Sequence, residues 1–205
     1  MTIAIEESIE MTTDNTMLQR LFTHARSQNG WREGTVSDDQ LRAAYEIAKW
    51  GPTSMNAQPM RLVFLRSVAA KERLKPALAP GNVEKAMTAP VIAIIAFDTH
   101  FYTNLVRTFP HWAGAHDLFS NNPSVAEETA FRNGTLQAAY YMLALRSFEL
   151  DVGPLSGFDA EKVDAEFFEQ SSYRVNFICG IGSGDPTKIF ERLPRLKFDE
   201  VALIL

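Results

Sequence analysis

The stretch from Asn122 to Leu150 restricts the fold more than any other part of the chain. Asn122-Pro123-Ser124 is a helix-opening sequence, because proline fits the first turn of a helix and its missing N–H costs nothing there. The pattern then predicts a helix through Leu150, about 40 Å long at 1.5 Å per residue. Ala130, Leu136, Ala139, Tyr140 and Leu143 mark a wide apolar face on it. A helix of this length with such a face runs through the middle of a molecule or along a subunit interface.

Shorter elements surround it. A first helix is predicted over Met17 to Ala25, with Leu18, Leu21 and Phe22 on one face. Ser37 to Trp50 is the clearest helix. Ser37 and Gln40 form a capping-box pair, Leu41, Ala44, Tyr45 and Ala48 repeat at i, i+3, i+4, i+7, and Gly51-Pro52 stops the run. Met60 to Arg66 reads as a strand, Ala69 to Leu78 as a short helical stretch, and Pro80-Gly81 as a turn. Pro90 to Phe97 is rich in Val and Ile with little polar alternation, which suits a central strand buried on both faces. Phe101 to Asn122 is irregular, Gly153 to Phe158 is a tight turn, Asp159 caps a helix through Phe168, and Arg174 to Gly182 is a third strand. Val201 to Leu205 is an apolar tail. Helices alternating with strands around a long central helix indicate a three-layer α+β or α/β fold. With 205 residues and 46% apolar content, one domain over residues 16–205 is expected. Residues 1–15 read as a flexible extension.

Several function classes are disfavoured. The 20 basic and 25 acidic residues give a net charge of −5 with no basic block, so no nucleic-acid partner and no polybasic membrane contact is expected. The N-terminus lacks the basic start and apolar stretch of a secretory signal, and no apolar run reaches membrane-spanning length. The single cysteine, Cys179, lies in an apolar strand-like run and reads as a buried small hydrophobe in a reducing, cytoplasmic setting. Gly180-x-Gly182-x-Gly184 lacks the following helix of a dinucleotide fingerprint, and a turn closing a strand fits it better. His100, His111 and His116 have no metal-ligand spacing, and no G-x-S-x-G elbow is present.

What is left is a set of polar segments in loops. These are Arg26-Ser27-Gln28-Asn29 after the first helix, Pro52-Thr53-Ser54-Met55-Asn56-Ala57-Gln58-Pro59, Asn82 with Lys85, Pro154-Leu155-Ser156-Gly157, and Arg192-Leu193-Pro194-Arg195. Each alone is an ordinary loop or turn. Together they match the needs of a flavin mononucleotide. Its phosphate asks for guanidinium, ammonium and hydroxyl donors, its pyrimidine edge for amide partners, and one ring face for flat backbone.

In these segments and in their order the chain resembles the nitroreductase family of FMN enzymes, from about Met17 onward. The resemblance implies an α+β, three-layer α/β/α sandwich with a long central helix, in an intertwined homodimer with flavin sites at the interface. It implies that Arg26, Ser27 and Arg192 hold the phosphate and ribityl end, and that Asn82 and Lys85 reach the pyrimidine side. Pro154 and Leu155 would lie along one ring face, with the Gly157 amide near the reactive nitrogen. Pro52, Thr53, Ser54 and Asn56 would approach from the second subunit. Two positions depart from the common pattern. Asn29 stands where many relatives have a second basic residue, so Lys188 or Arg195 is a candidate replacement, and Ser156 stands where well-known nitroreductases have glutamate.

His24-Ala25-Arg26-x-x-Asn29-Gly30-Trp31-Arg32-Glu33, Trp50-Gly51-Pro52-Thr53-Ser54, Ala126-Glu127-Glu128-Thr129-Ala130-Phe131-Arg132-Asn133 and Ser156-Gly157-Phe158-Asp159 are similar to the malonic semialdehyde reductase branch of that family. That resemblance implies reduction of 3-oxopropanoate to 3-hydroxypropanoate by ping-pong hydride transfer from NADPH or NADH. The cofactor carries the hydride, so no catalytic side chain is assigned. A small carboxylate acceptor wants a cation, for which Arg107 and Arg132 are candidates. Phe109, His111, Trp112 and Phe119 are candidates for a lid or for core packing. A broad-specificity nitro or quinone reductase and a non-catalytic flavin-binding protein are the alternatives.

Overall fold

Every residue of the strand Val91–Asp98 is buried, as expected of a strand covered on both faces. The computed structural model describes residues 15–205, so the expected N-terminal extension lies outside the described residues apart from Asn15. The strands are β1 (Met60–Leu65), β2 (Val91–Asp98), β3 (Asp151–Leu155) and β4 (Tyr173–Gly182). They form one four-stranded sheet in the order β1-β2-β4-β3, antiparallel throughout. Register is fixed by pairs such as Val63 with Ile94, Ile94 with Ile178 and Gly153 with Gly180.

Because side chains alternate across a strand, β2 feeds two separate cores. Val91, Ala93 and Ile95 pack with Leu41, Ala44 and Ala48 of helix α2 (Asp38–Ala48) and with Ala138, Tyr141 and Leu145 of helix α7 (Pro123–Ser147). Ile92, Ile94 and Ala96 pack with Leu74 of α3 (Val68–Leu74), Ala86 of α4 (Pro80–Met87) and Val163 and Phe168 of α8 (Ala160–Phe168). The result is the expected three layers, helix on sheet on helix.

Two helix boundaries follow the sequence closely. Ser37 and Gln40 form the reciprocal capping box of α2. The Asp159 carboxylate accepts from the Lys162 N–H at 3.1 Å to open α8. Other expectations need correction. Pro80-Gly81 is not a turn but the start of α4, with proline in the first turn where its missing N–H is harmless. The first helix is an α-turn, α1 (Asn15–Leu18), running into a π-helical turn over Gln19–Thr23. The irregular stretch contains a 3-10 turn over Phe101–Asn104 and the short helices α5 (Leu105–Thr108) and α6 (Ala115–Ser120). These close a third core around Phe97, Phe101 and Phe119. Gly153 and Pro154 belong to β3, so Tyr173–Gly182 is the fourth strand and the turn begins only at Ser156. Proline is tolerated there because β3 is an edge strand. The last helix, α9 (Phe198–Val201), leads into a tail in which Leu203, Ile204 and Leu205 are exposed.

The long helix turns a different face inward from the one predicted. Its buried residues are Ala126, Ala130, Asn133, Gly134, Gln137, Ala138, Tyr141, Ala144 and Leu145. Leu136 is exposed, and Ala139, Tyr140 and Leu143 are only half-buried. Close packing explains the choice of small residues: a Cβ on Gly134 would sit 2.9 Å from the Phe97 Cβ. The bulkier apolar face is left looking outward.

Candidate active site

The segment after the first helix is bound to the sheet edge. Ser27 bridges Val152 of β3, and the Gln28 N–H donates to the Val152 carbonyl at 3.1 Å. This approach needs the bare backbone of Gly153, where a Cβ would lie 2.5 Å from the Gln28 carbonyl oxygen. The C-terminal segment crosses over it. The Arg192 guanidinium donates to the Ala25 carbonyl at 3.2 Å, and Arg26 donates to that of Phe190. Between them lies a cleft of about 640 Å³ whose polar lining includes Thr23, Arg26, Ser27, Asn29, Arg192 and Arg195. Arg146 also lines it, donating to the Leu21 carbonyl at 2.8 Å; burial pulls its pKa below the usual arginine value. Among the described residues Glu191 is the only acid in the lining. Such a donor set suits a phosphate.

A second cleft, of about 460 Å³, shares Asn29 and Phe190 with the first and adds Lys85 and Lys188. Lys85 is positioned by Trp31, whose indole N–H donates to the Lys85 carbonyl at 2.8 Å. Two glycines of the triplet, Gly180 and Gly182, provide the seat for that indole. Cβ atoms on Gly180 and Gly182 would lie 2.5 and 3.1 Å from Trp31 ring atoms. Both glycines are inside β4 rather than in a turn after it. On α4, the Asn82 amide donates to the Gly157 carbonyl at 2.8 Å, bringing the predicted ring-edge and ring-nitrogen positions together. Leu155 is buried in the second core, so toward any ligand it offers backbone; Ser156 is exposed beside it.

Pro52, Thr53 and Ser54 do not line either cleft. They form a separate pocket of about 460 Å³ with Thr129, Arg132, Asn133, Leu136 and Tyr140 of α7. The loop behind them is strained, with Met55, Asn56 and Gln58 at φ of 52°, 50° and 45°. Each left-handed non-glycine residue costs on the order of 1–3 kcal/mol and persists only where its surroundings impose it. They do here. Asn133 accepts from the Ser54 N–H, Gln137 from the Met60 N–H, and the Asn56 amide donates to the Thr108 carbonyl at 2.8 Å. Arg61 donates to the Gln58 carbonyl at 3.1 Å and pairs with buried Asp98 at 2.5 Å.

Sequence reasoning missed Trp31, Asn133, Gln137 and Arg61 as supports. A signal was available for two of them. Asn133 and Gln137, four apart in the small-residue stripe of α7, interrupt an apolar face where only backbone partners justify burying an amide. Of the aromatics considered for a lid, Phe119 is core, Phe109 packs against that core, and Trp112 and His111 are exposed. Among the described residues no group of His, Cys, Asp and Glu is arranged to hold a metal ion, and no helix is long and apolar enough to cross a membrane.

Fold and clefts together define an α+β protein with an antiparallel sheet and a donor-rich edge. Residues 32–183 match the model of the nitroreductase family, and the chain belongs to that family; it is a nitroreductase-family flavin oxidoreductase. Arg26, Ser27, Asn29 and Arg192 fall outside the matched span. The fold is shared with solved structures at low identity. A Bacillus subtilis protein classed with the nitroreductases superposes with a TM-score of 0.82 at 20% identity, covering 93% of this chain and 100% of the other. A nitroreductase-type protein of Exiguobacterium sibiricum, in complex with FMN, gives 0.80 at 18% identity over 97% and 100%. A Staphylococcus epidermidis protein named as an NAD(P)H:FMN oxidoreductase gives 0.78 at 20% over 95% and 97%.

Proposed function

We propose that the protein is a homodimeric NAD(P)H-dependent enzyme that holds FMN at each subunit interface and reduces 3-oxopropanoate to 3-hydroxypropanoate. The observation that carries the reading is the donor set around the first cleft, Arg26, Ser27, Asn29, Arg192 and Arg195, continuous through Asn29 with Lys85 and Lys188. A phosphate monoester fits it, since each charge-assisted hydrogen bond contributes about 1.5–3 kcal/mol. FMN supplies, when bound, the hydride acceptor and donor of a ping-pong cycle. The chain's own part is to bind and orient. Arg26, Ser27 and Arg192 hold the phosphate and ribityl end, Asn82 and Lys85 the pyrimidine edge, and the Pro154-Leu155 backbone one ring face, with the Gly157 amide near the reactive nitrogen. Pro52, Thr53, Ser54 and Asn56 of a second copy close the opposite side.

The dimer reading is supported by apolar surface that a monomer leaves in water. Trp50 is 81% exposed, Val106 80% and Ile204 84%, with Ile47 and Phe131 also outward. The acceptor reading rests on the resemblance in the segments around Arg26, Pro52, Ala126 and Ser156.

The test is a visible spectrum of the purified protein, identification of the released chromophore, and titration with NADPH under argon. A yellow protein that carries FMN and bleaches is expected, reoxidised faster by 3-oxopropanoate than by quinones or nitro compounds. Preference for the latter would make it a broad reductase, and bleaching without reoxidation by any acceptor a flavin-binding protein. A colourless protein that neither takes up FMN nor oxidises NADPH sinks the reading.

A further inference from the structure

We infer that the pocket between the Pro52–Ser54 loop and helix α7 is a carboxylate-binding site, with Arg132 as the residue that selects an acidic acceptor. The inference rests on the proposed reduction of a small carbonyl acid and assigns its anionic end to particular groups. Two arginines compete for the role, and the geometry separates them. Arg107 lies on the short helix α5 with its guanidinium turned to Asn104 of the preceding turn, at 3.5 Å, and is no part of this pocket. Arg132 lines the pocket beside Thr53, Ser54 and Thr129.

The hydroxyls of Ser54 and Thr129 make no hydrogen bond within the described residues, so both are available to a ligand oxygen. The walls that carry them are fixed. Ser54 is held through its N–H by Asn133, which is only 3% exposed, and Pro52 through its carbonyl by the Tyr140 hydroxyl at 3.2 Å. Among the described residues Arg132 is the only charged one in the lining, and Leu136 and the Tyr140 ring supply an apolar side for a short carbon chain.

Glu128 pairs with Arg132 one helical turn away, and both side chains are 66% exposed. An exposed pair of this kind contributes about 0–1 kcal/mol, too little to withhold the guanidinium from a ligand. Arginine presents five donors, so N–H groups of Arg132 remain for a ligand carboxylate beside the one given to Glu128. The same loop, Pro52 to Ser54, is the one proposed to close the second copy's flavin site. A carboxylate held here therefore belongs to an acceptor lying across the subunit interface from the chain that binds the phosphate.

The test is calorimetric titration of the full-length protein with 3-hydroxypropanoate, which needs no turnover, for wild type, Arg132→Gln and Arg107→Gln. Loss of the charged hydrogen bonds in Arg132→Gln is expected to weaken binding by at least about tenfold. Arg107→Gln is expected to bind as wild type does. In turnover, KM for 3-oxopropanoate rises by a similar factor in Arg132→Gln while kcat moves less, because the acid end binds equally before and during hydride transfer. The inference is overturned if wild type does not bind the acid, if Arg132→Gln binds it as tightly as wild type, or if Arg107→Gln loses as much. Flavin content is read separately from the spectrum, so an absent flavin counts against the enzyme reading and leaves the titration to judge the pocket.

Discussion

The side-chain oxygen of Asn133 accepts the Ser54 N–H at 2.8 Å, and one turn further along α7 the Gln137 oxygen accepts the Met60 N–H at 2.9 Å. The long helix thus grips both ends of the loop that contains the positive-φ residues Met55, Asn56 and Gln58. Replacing Asn133 by Leu leaves a backbone donor unpaired and one restraint on that strain removed. A loss of about 1–3 kcal/mol is expected, read by urea unfolding, with new protease cleavage within the loop. Unchanged stability and an uncut loop would show that the amide is dispensable.

The second prediction concerns Trp31. Its indole lies on bare Gly180 and its N–H reaches the Lys85 carbonyl. Gly180→Ala forces the ring to move, at a cost of about 1–3 kcal/mol for overpacking. The intrinsic fluorescence of Trp31 is expected to shift with it, and Trp31→Phe in the Gly180→Ala background should abolish that part of the change. A Gly180→Ala variant with native stability and fluorescence would mean that the seat has slack.

Cys179 is fully buried in the sheet, and desolvation pushes its thiol pKa up to about 12. A thiolate is the reactive form, so the native protein is expected to resist a thiol reagent at pH 8 and to titrate one equivalent once unfolded. Rapid labelling of the folded protein would contradict its place between β2 and β3.

Lys71 is 7% exposed and donates to the Ala89 carbonyl; burial lowers its pKa from 10.5. Between its lowered folded value and 10.5 the unfolded chain binds more protons than the folded one, so stability rises with pH in that window. Below the window the group disfavours folding by a constant amount. Unfolding free energies measured in steps up to pH 10.5 should carry this positive slope, and Lys71→Met should remove it. Parallel curves for the two proteins would assign the slope elsewhere.

For the cofactor, Arg192→Ala removes a cation from the first cleft and a tie to the Ala25 carbonyl. If it holds phosphate, the FMN dissociation constant should rise by about 10- to 100-fold, one charged hydrogen bond's worth. Fluorescence titration with FMN against riboflavin, which lacks the phosphate, separates the causes. Riboflavin affinity that falls as far as FMN affinity would assign Arg192 to scaffold.

Local sequence was enough for whatever depended on neighbours in the chain. The Ser37–Gln40 box, the Asp159 cap, the apolar run Val91–Phe97 of β2 and the existence of the long helix all follow from caps and periodicity, which act within a few residues. The residue types of the clefts were likewise readable, since guanidinium, ammonium and hydroxyl donors are properties of the side chains themselves, whatever the fold does with them. Tertiary structure decided the rest. Which stripe of α7 turns inward was set by how near the sheet lies: small residues and two amides won because β2 and the Pro52–Pro59 loop leave no room for Leu136 and need hydrogen-bond acceptors. Whether Pro154 is a turn or a strand depended on β4 alongside it, and whether Gly180 serves a phosphate or an indole depended on Trp31, some 150 residues away in the chain. Pairing and packing between distant segments leave no periodic trace in either one, so only the folded chain could assign those roles.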